Sequence, residues 1–346
     1  MSYATRAAEY SAATESDNRM VWAGAAPHYE VWYLTLNHRE SRTGYWIRYT
    51  MEAPTHAPPY AQLWFAAFHA DEPAKNFGIN KKFPIDRLAA TPHPFRVAID
   101  DSAITHDGCK GAISGDGHTA SWDLGWLPAT QTHKHQPELI YKASFAKTRV
   151  LSPNLDVPVR GTITVDGRTL VLNGDPGGQT HVWGKKHAHS WAWAHCNAFS
   201  GRRGTAFESL TGRLEIRGRV LPNLTAATLY LDGEALQFTE FSDAIWNRGE
   251  YGTGFYRFRA QGLRARIEGE YRCRPEDMIL ATYEDPDGEP CYCANTEVAD
   301  LRLSVWRRGW NARWRKATEL LADRTGHFEV AGRQPDIAIT RRHVLL

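Results

Sequence analysis

Between His181 and Phe199, rings and polar groups recur at every second position: His181, Trp183, Lys185, His187, His189, Trp191, Trp193, His195 and Asn197. The alternate positions are mostly small, with Gly184, Ala188, Ser190, Ala192, Ala194 and Cys196 among them. Successive side chains of a strand point to opposite faces, so an extended segment here has one face of indole and imidazole. Imidazole exchanges protons near neutrality, and indole faces stabilise a cation held against them. Together they suit protonation of a carbon–carbon double bond inside an aromatic pocket. His189 or His195 is the expected proton donor, with Asp243 or Glu208 as the orienting carboxylate or as the acid itself. Desolvation raises a carboxylic pKa and keeps such a group a donor near neutral pH. Glu30, Glu284 and Asp285 are further candidate acids. Trp183, His187, Trp191, Trp193 and Asn197 are expected to form the wall of the pocket.

A single tryptophan or histidine in a strand is more often an ordinary core residue whose ring nitrogen finds a carbonyl. A row of four histidines, three tryptophans and an asparagine is more than a core needs. Each buried polar group without a partner costs about 1–3 kcal/mol, so the row is expected to face water or a ligand. A zinc or iron site built from His187 and His189 with His181 or His195 is the competing reading. The segment contains no carboxylate and its tryptophans are unusual metal neighbours, so neither metal nor cofactor is assigned.

The elements that must hold this row are strands. Aromatic content is high (13 Trp, 14 Tyr, 13 Phe), with 28 Gly and 18 Pro as punctuation, a composition that favours β-structure. Strand runs cover Tyr29–Leu36, Tyr45–Met51 and Ala61–His69, then 94–99, 104–113, 118–124, 137–150, 158–165 and 168–173. A second series covers 187–199, 204–219, 225–231, 235–241, 253–260, 263–272, 278–285, 290–294, 297–307 and 325–332. Turns such as Gly115–Gly117, Asp166-Gly167, Asn173-Gly174, Asp232-Gly233 and Asp287-Gly288 separate them. Asn311–Asp323 is the one stretch with helical character. This pattern predicts an all-β chain of antiparallel sandwich or barrel type. A length of 346 residues exceeds the usual growth of one core. The domain boundary is expected near 174–179, dividing a leader (1–26) from units 27–178 and 179–346.

The formal net charge is only +2, which gives no reason to expect nucleic acid. The basic, aromatic run Trp306–Lys316 leaves peripheral membrane contact open, although a solvated strand pair and turn explains it as well. The N-terminus lacks the features of a signal peptide and no apolar stretch nears the ~18 residues of a membrane span. A cytoplasmic protein is expected. Five cysteines, an odd number, read as free thiols. No nucleophile elbow, phosphate loop, dinucleotide fingerprint or HExxH motif is present.

Tyr29-Glu-Val-Trp-Tyr33 and Gly44-Tyr-Trp-Ile-Arg-Tyr-Thr50 resemble the opening strands of the lipocalin-like hydroxyneurosporene synthase (carotenoid hydratase) / tocopherol cyclase-type superfamily. Trp183–Asn197 is similar to its mid-chain segment. Tyr283–Gly288, Asn295–Leu301 and His327–Gly332 are similar to its closing strands. The resemblance implies two consecutive antiparallel lipocalin-like β-barrels with a ligand cavity between or within them. It also implies a hydrophobic, often isoprenoid substrate and no cofactor. Tyr29, Trp46, Tyr49 and Tyr283, where the resemblance is densest, are then the expected opposite wall. The leading functional expectation is a cofactor-independent hydratase or cyclase/isomerase acting on an apolar unsaturated molecule. A carrier for a lipophilic ligand and a His-ligated metal enzyme are the alternatives.

Overall fold

Turn chemistry sets the framework. Asp116-Gly117, Asp166-Gly167 and Asp232-Gly233 take positive φ at both residues, the geometry of a two-residue hairpin turn that Asp and Gly tolerate. A computed structural model describes residues 14–143, 146–216, 218–339 and 342–343. The first half forms β1 (His28–His38), β2 (Thr43–Ala53), β3 (Tyr60–His69), β4 (Phe77–Pro84), β5 (Leu88–Pro92), β6 (Phe95–Ile99), β7 (Ser102–Thr105), β8 (Gly108–Gly115), β9 (His118–Gly125), β10 (His133–Lys134), β11 (Thr148–Val165) and β12 (Arg168–Gly184). These pair as one antiparallel sheet in the order β4-β3-β2-β1-β12-β11-β9-β8-β7-β6-β5, curled into a nearly closed barrel.

The second half forms β13 (Ser190–Cys196), β14 (Ala206–Arg213), β15 (Glu215–Ile216), β16 (Arg219–Val220), β17 (Leu224–Leu231), β18 (Glu234–Phe238), β19 (Arg248–Gly252), β20 (Phe255–Gln261), β21 (Ala265–Arg272), β22 (Ile279–Glu284), β23 (Pro290–Arg308), β24 (Trp314–Gly332) and β25 (Arg342–His343). Its main sheet runs β18-β17-β14-β13-β24-β23-β21-β20-β19. The far edge folds back over β14 and β17, since a Cβ on Gly249 of β19 would meet Thr211 Oγ1 at 2.1 Å and Thr225 Oγ1 at 2.7 Å. The chain is therefore all-β, two consecutive antiparallel lipocalin-like barrels, as expected.

Strand alternation divides the apolar residues among three clusters. Trp32, Leu34 and Leu36 of β1 join Ile47, Tyr49 and Phe65 inside the first barrel. Ala192, Ala194 and Cys196 of β13 face the second barrel's interior, where Phe207, Tyr256, Phe258, Tyr271 and Phe328 fill the space their small size leaves. The opposite faces meet between the barrels, in a cluster containing Trp46, Trp64, Phe68, Trp191, Trp193 and Tyr283. Burying both faces of β1, β2 and β3 explains why almost every residue of these strands is buried.

Several sequence expectations need correction. The 181–199 row is not one strand. β12 ends at Gly184, residues 185–189 connect, and β13 begins at Ser190. Asn173-Gly174 is not a turn but sits inside β12 beside a register shift, and the first barrel extends past 178 to Gly184. Asn311–Asp323 is not helical, since β24 begins at Trp314 and pairs antiparallel with β23. There the strand partner decides between two readings of the same residues. The basic run Trp306–Lys316 is accordingly a hairpin and its turn. Residues 138–142 form a short helix within the expected 137–150 strand. The 204–219 run breaks after Arg213. Of the expected leader, residues 1–13 lie outside the described residues. Residues 17–22 reach the first barrel, with Trp32 Nε1 donating to the Asn18 carbonyl at 2.8 Å.

The two barrels approach closely at Gly44, where a Cβ would lie 2.4 Å from Glu297 Cβ and 2.8 Å from its carbonyl oxygen. Gly44→Ala should therefore destabilise the protein by about 1–3 kcal/mol through overpacking. Gly125→Ala, whose Cβ would meet nothing nearer than 3.7 Å, should leave the urea midpoint nearly unchanged.

Candidate functional site

The space between the barrels is bounded by two strand faces in register. On β13 the outward side chains are Trp191, Trp193 and His195. Their cross-strand neighbours are Leu210 and Glu208 on β14 and Ala331, Glu329 and His327 on β24. Facing them are Tyr33, Trp46, Arg48 and Trp64 of β1–β3. Tyr33 meets Trp193 edge-on with centroids 5.8 Å apart, and Trp64 meets Tyr283 in the same way at 5.9 Å. The walls touch over most of their extent, so the indoles border rings rather than a wide cavity. Tyr33, Leu210 and Glu329 nevertheless stay only partly covered, which leaves uncovered surface in this part of the interface.

A polar network runs behind the indoles. His195 Nδ1 lies 2.8 Å from Glu208 Oε2, and Trp193 Nε1 donates to the other oxygen, Oε1. Both His195 and Glu208 are buried. Burial pushes the Glu208 carboxyl up from its ordinary value, opposed by the His195 bond. His195 Nε2 is buried and has no hydrogen-bond partner among the described residues. His135 Nδ1 sits 3.3 Å from Glu208 Oε1 without hydrogen-bond alignment. Its Nε2 pairs with Ser152 Oγ at 2.9 Å, and Ser152 Oγ with Thr180 Oγ1 at 2.8 Å. Burial drives His135 well below the usual imidazole value and His133 down to about 3, so both are neutral.

A second group lies beside the first. His327 Nε2 donates to Asn37 Oδ1 at 2.7 Å, while Asn37 Nδ2 donates to the Glu297 carbonyl at 2.8 Å. His327 Nδ1 is then 3.1 Å from Glu297 Oε2. Burial holds Glu297 well above the carboxylate range and His327 well below the imidazole range. A neutral acid beside a neutral imidazole follows, which avoids the cost of two charges in a dry interface. His327 and His195 rings stand 5.3 Å apart.

The structure brings together some of the expected residues and scatters others. His195, Glu208, Trp191, Trp193, Trp46 and Tyr283 share the interface, and Asn197 is buried past the end of β13, donating to the Gly177 carbonyl at 2.9 Å. His187 belongs to the connector, stacked on Tyr29 at 4.1 Å and on Trp191 at 5.4 Å, and bound to Asp285 at 2.6 Å. Tyr29 is thus on the wall, at its edge. His189 does not join the row. Its side chain is 32% exposed and its nearest carboxylate is Glu215 at 3.7 Å. Asp243 lies in a surface turn, where it accepts from the Glu240 amide, so it orients no histidine. Tyr49 points into the first barrel, bonded to Trp122 Nε1 and the Ala103 carbonyl. Trp183 also lies off the wall, stacked on His181.

His181 and Glu30 form their own pair inside the first barrel, 2.9 Å apart. Glu30 also accepts from the Val21 and Trp22 amides and stays near 2 despite its burial, because these bonds and His181 favour the anion. Glu284 is half-buried and meets His56 at 2.8 Å. His181, His187, His189 and His195, the candidate metal ligands of the sequence, thus each lie beside a separate carboxylate, and the four do not converge. Asp285, Asp287 and Glu289 do converge, but Lys186, His187 and Arg333 already neutralise them.

Sequence reasoning missed Tyr33, Arg48, Glu52, Glu297, Glu329 and His327. A faint signal existed: Trp46, Arg48, Thr50 and Glu52 alternate with Tyr45, Ile47 and Tyr49. That pattern ordinarily means a solvated outer face, and only the second barrel turns it into an interior. Glu52 is the clearest consequence. Burial raises it to about 8, with Arg48 opposing the shift.

Because Glu52 titrates lower when unfolded, its contribution to stability is full below about 4.5 and is lost as pH rises through about 8. Glu52→Gln stays neutral throughout, so its melting temperature should exceed the parent's above pH 8. The difference should vanish below pH 5. Parallel melting curves across this range would contradict the assignment.

Comparison with known proteins agrees with the two-barrel architecture. An uncharacterized protein of Mycobacterium tuberculosis is 27% identical over 319 residues, 89% of this chain and 88% of that protein. The crystal structure of an AttH candidate from Nitrosomonas europaea superposes with a TM-score of 0.53 at 14% identity, covering 88% of this chain and 93% of that one. Kievitone hydratase from Nectria haematococca gives 0.52 at 10% identity, with 92% of each chain covered. Residues 104–332, two thirds of the sequence, covering the later half of the first barrel and most of the second, match the family model described as tocopherol cyclase-like, and the chain belongs to that family.

Proposed function

We propose that this protein is an acid–base enzyme of hydratase or cyclase type, acting on an apolar, unsaturated small molecule held between its barrels. The observation carrying this reading is the His195–Glu208 pair, buried behind a face of indoles with the outer nitrogen of His195 unpartnered. Glu208 fixes the ring through Nδ1, leaving Nε2 to hold or release a proton. Trp193 and Trp191 present faces that stabilise positive charge developing on a nearby carbon. The family and the kievitone hydratase likeness in fold support this class of chemistry. A hydratase and a cyclase share the protonation step. They differ in whether water or an internal nucleophile captures the cation, with the proton returned to solvent through the same imidazole.

The test is incubation with linear polyprenyl alcohols and polyenes in deuterated water, followed by mass spectrometry. Proton transfer to carbon predicts product carrying deuterium on carbon, with or without the mass of one added water. Substrate that binds but returns unlabelled would make the protein a carrier. His195→Gln should lower turnover by about 10²- to 10⁴-fold while the melting temperature stays within a few degrees of the parent. Full turnover in that variant would remove His195 from the mechanism.

A further inference from the structure

Arg48 occupies the middle of the first barrel's interface wall. It lies directly across β1 from Tyr33 and across β3 from Trp64. The residue is only 5% exposed. Its guanidinium sits over three rings, 4.4 Å from Tyr283, 5.6 Å from Trp46 and 5.8 Å from Trp64. Nε donates to Thr50 Oγ1 at 2.9 Å. Among the described residues, the two terminal nitrogens have no hydrogen-bond acceptor and no carboxylate within ion-pairing distance.

This arrangement is unusual for a buried cation, which ordinarily pairs with an anion to offset its desolvation. Ring faces attract the charge but accept no hydrogen bond in the plane of the fork. A candidate counter-ion is Glu52, two positions along the same strand face, past Thr50. Its carboxyl stays protonated near neutrality, bonded to the Tyr60 hydroxyl at 3.3 Å. Among the described residues no acceptor therefore meets the four remaining N–H groups, and Tyr33 beside them is only partly buried. Tyr33 in turn touches Trp193, whose neighbour on the strand is the His195 ring.

We infer that Arg48 is an anion-binding subsite and that the substrate is an apolar unsaturated chain bearing a carboxylate. The inference deepens the hydratase or cyclase reading and rests on it for the location of the apolar chain. A carboxylate is planar and matches the guanidinium fork with two parallel N–H···O bonds. Bound there, it supplies the missing counter-charge. It also fixes the register of the chain, so that one particular double bond lies along Trp193 toward His195. Specificity then follows from position along the chain rather than from contacts at the reacting carbons.

Binding of farnesoic acid, farnesol and farnesyl phosphate to the intact protein, followed by tryptophan fluorescence quenching, tests this. The acid should bind about tenfold or more tightly than the alcohol. Arg48→Gln should abolish that preference while leaving farnesol affinity unchanged. Arg48→Met is the second variant, and the acid-to-alcohol comparison in the parent protein stands whether or not either variant folds. Equal binding of acid and alcohol, or a preference that survives Arg48→Gln, overturns the subsite but leaves the apolar interface standing. Tighter binding of the phosphate than of the acid overturns the carboxylate assignment. Failure of all three to bind overturns the subsite together with the reading of the interface as a polyprenyl site.

Discussion

Two sheets here bury, against each other, faces that in a lone barrel would be wet. Everything else about the interface depends on that constraint. Glu52, Glu208, Glu297 and Glu329 all lie on these faces, the first three buried away from water and Glu329 partly covered. Three of them meet the constraint in different ways. Glu208 takes an imidazole and an indole N–H. Glu297 stays neutral beside a neutral His327. Glu329 collects N–H groups from Trp191 and Asn295 at 2.7 and 3.4 Å. The proton affinities that make the interface chemically interesting are thus set by packing two barrels together, not by any single strand.

Inside the first barrel the same rule gives an opposite result. Glu30 is as buried as Glu208, yet two backbone amides and two histidines hold it ionised. The contrast separates a structural carboxylate, saturated with donors, from one whose partners leave room for a proton to move. His181 shows the same saturation, bonded at both nitrogens to Glu30 and to the Asp17 carbonyl. Among the described residues, His195 has one nitrogen engaged and one unengaged.

The strand content, the hairpin turns and the β13 face of Trp191, Trp193 and His195 were legible because they depend on period-two alternation and on turn residues, both local. The pairing of His195 with Glu208 was legible as a short list, since Glu208 sits in a strand with one buried carboxylate. What was not legible came from contacts between halves. His189 looked equivalent to His195 by parity, but the chain leaves the sheet over 185–189 and the parity is lost. Tyr49 looked like a wall residue for the same reason that Trp46 did, although they are three apart and point to opposite faces. Asn311–Asp323 has helical composition, yet a nineteen-residue partner strand supplies its backbone hydrogen bonds. Arg48 and Glu52 resembled solvated surface until the second barrel covered them.

The connector at 185–189 bears on how anything reaches the interface. The His187 amide and ring both bind Asp285, which also receives Arg333. Lys186 bridges Asp287 and Glu289 on the same turn, and Thr55 of the first barrel bonds the Pro286 carbonyl at 2.8 Å. The one covalent link between barrels is therefore riveted to both of them, and it cannot serve as a hinge. For the proposed substrate, exchange then falls to the rings bordering the interface, above all the partly buried Tyr33. Its pace would be that of crowded aromatic rotation rather than of domain swinging, and its size limit that of the gap one turned ring leaves behind.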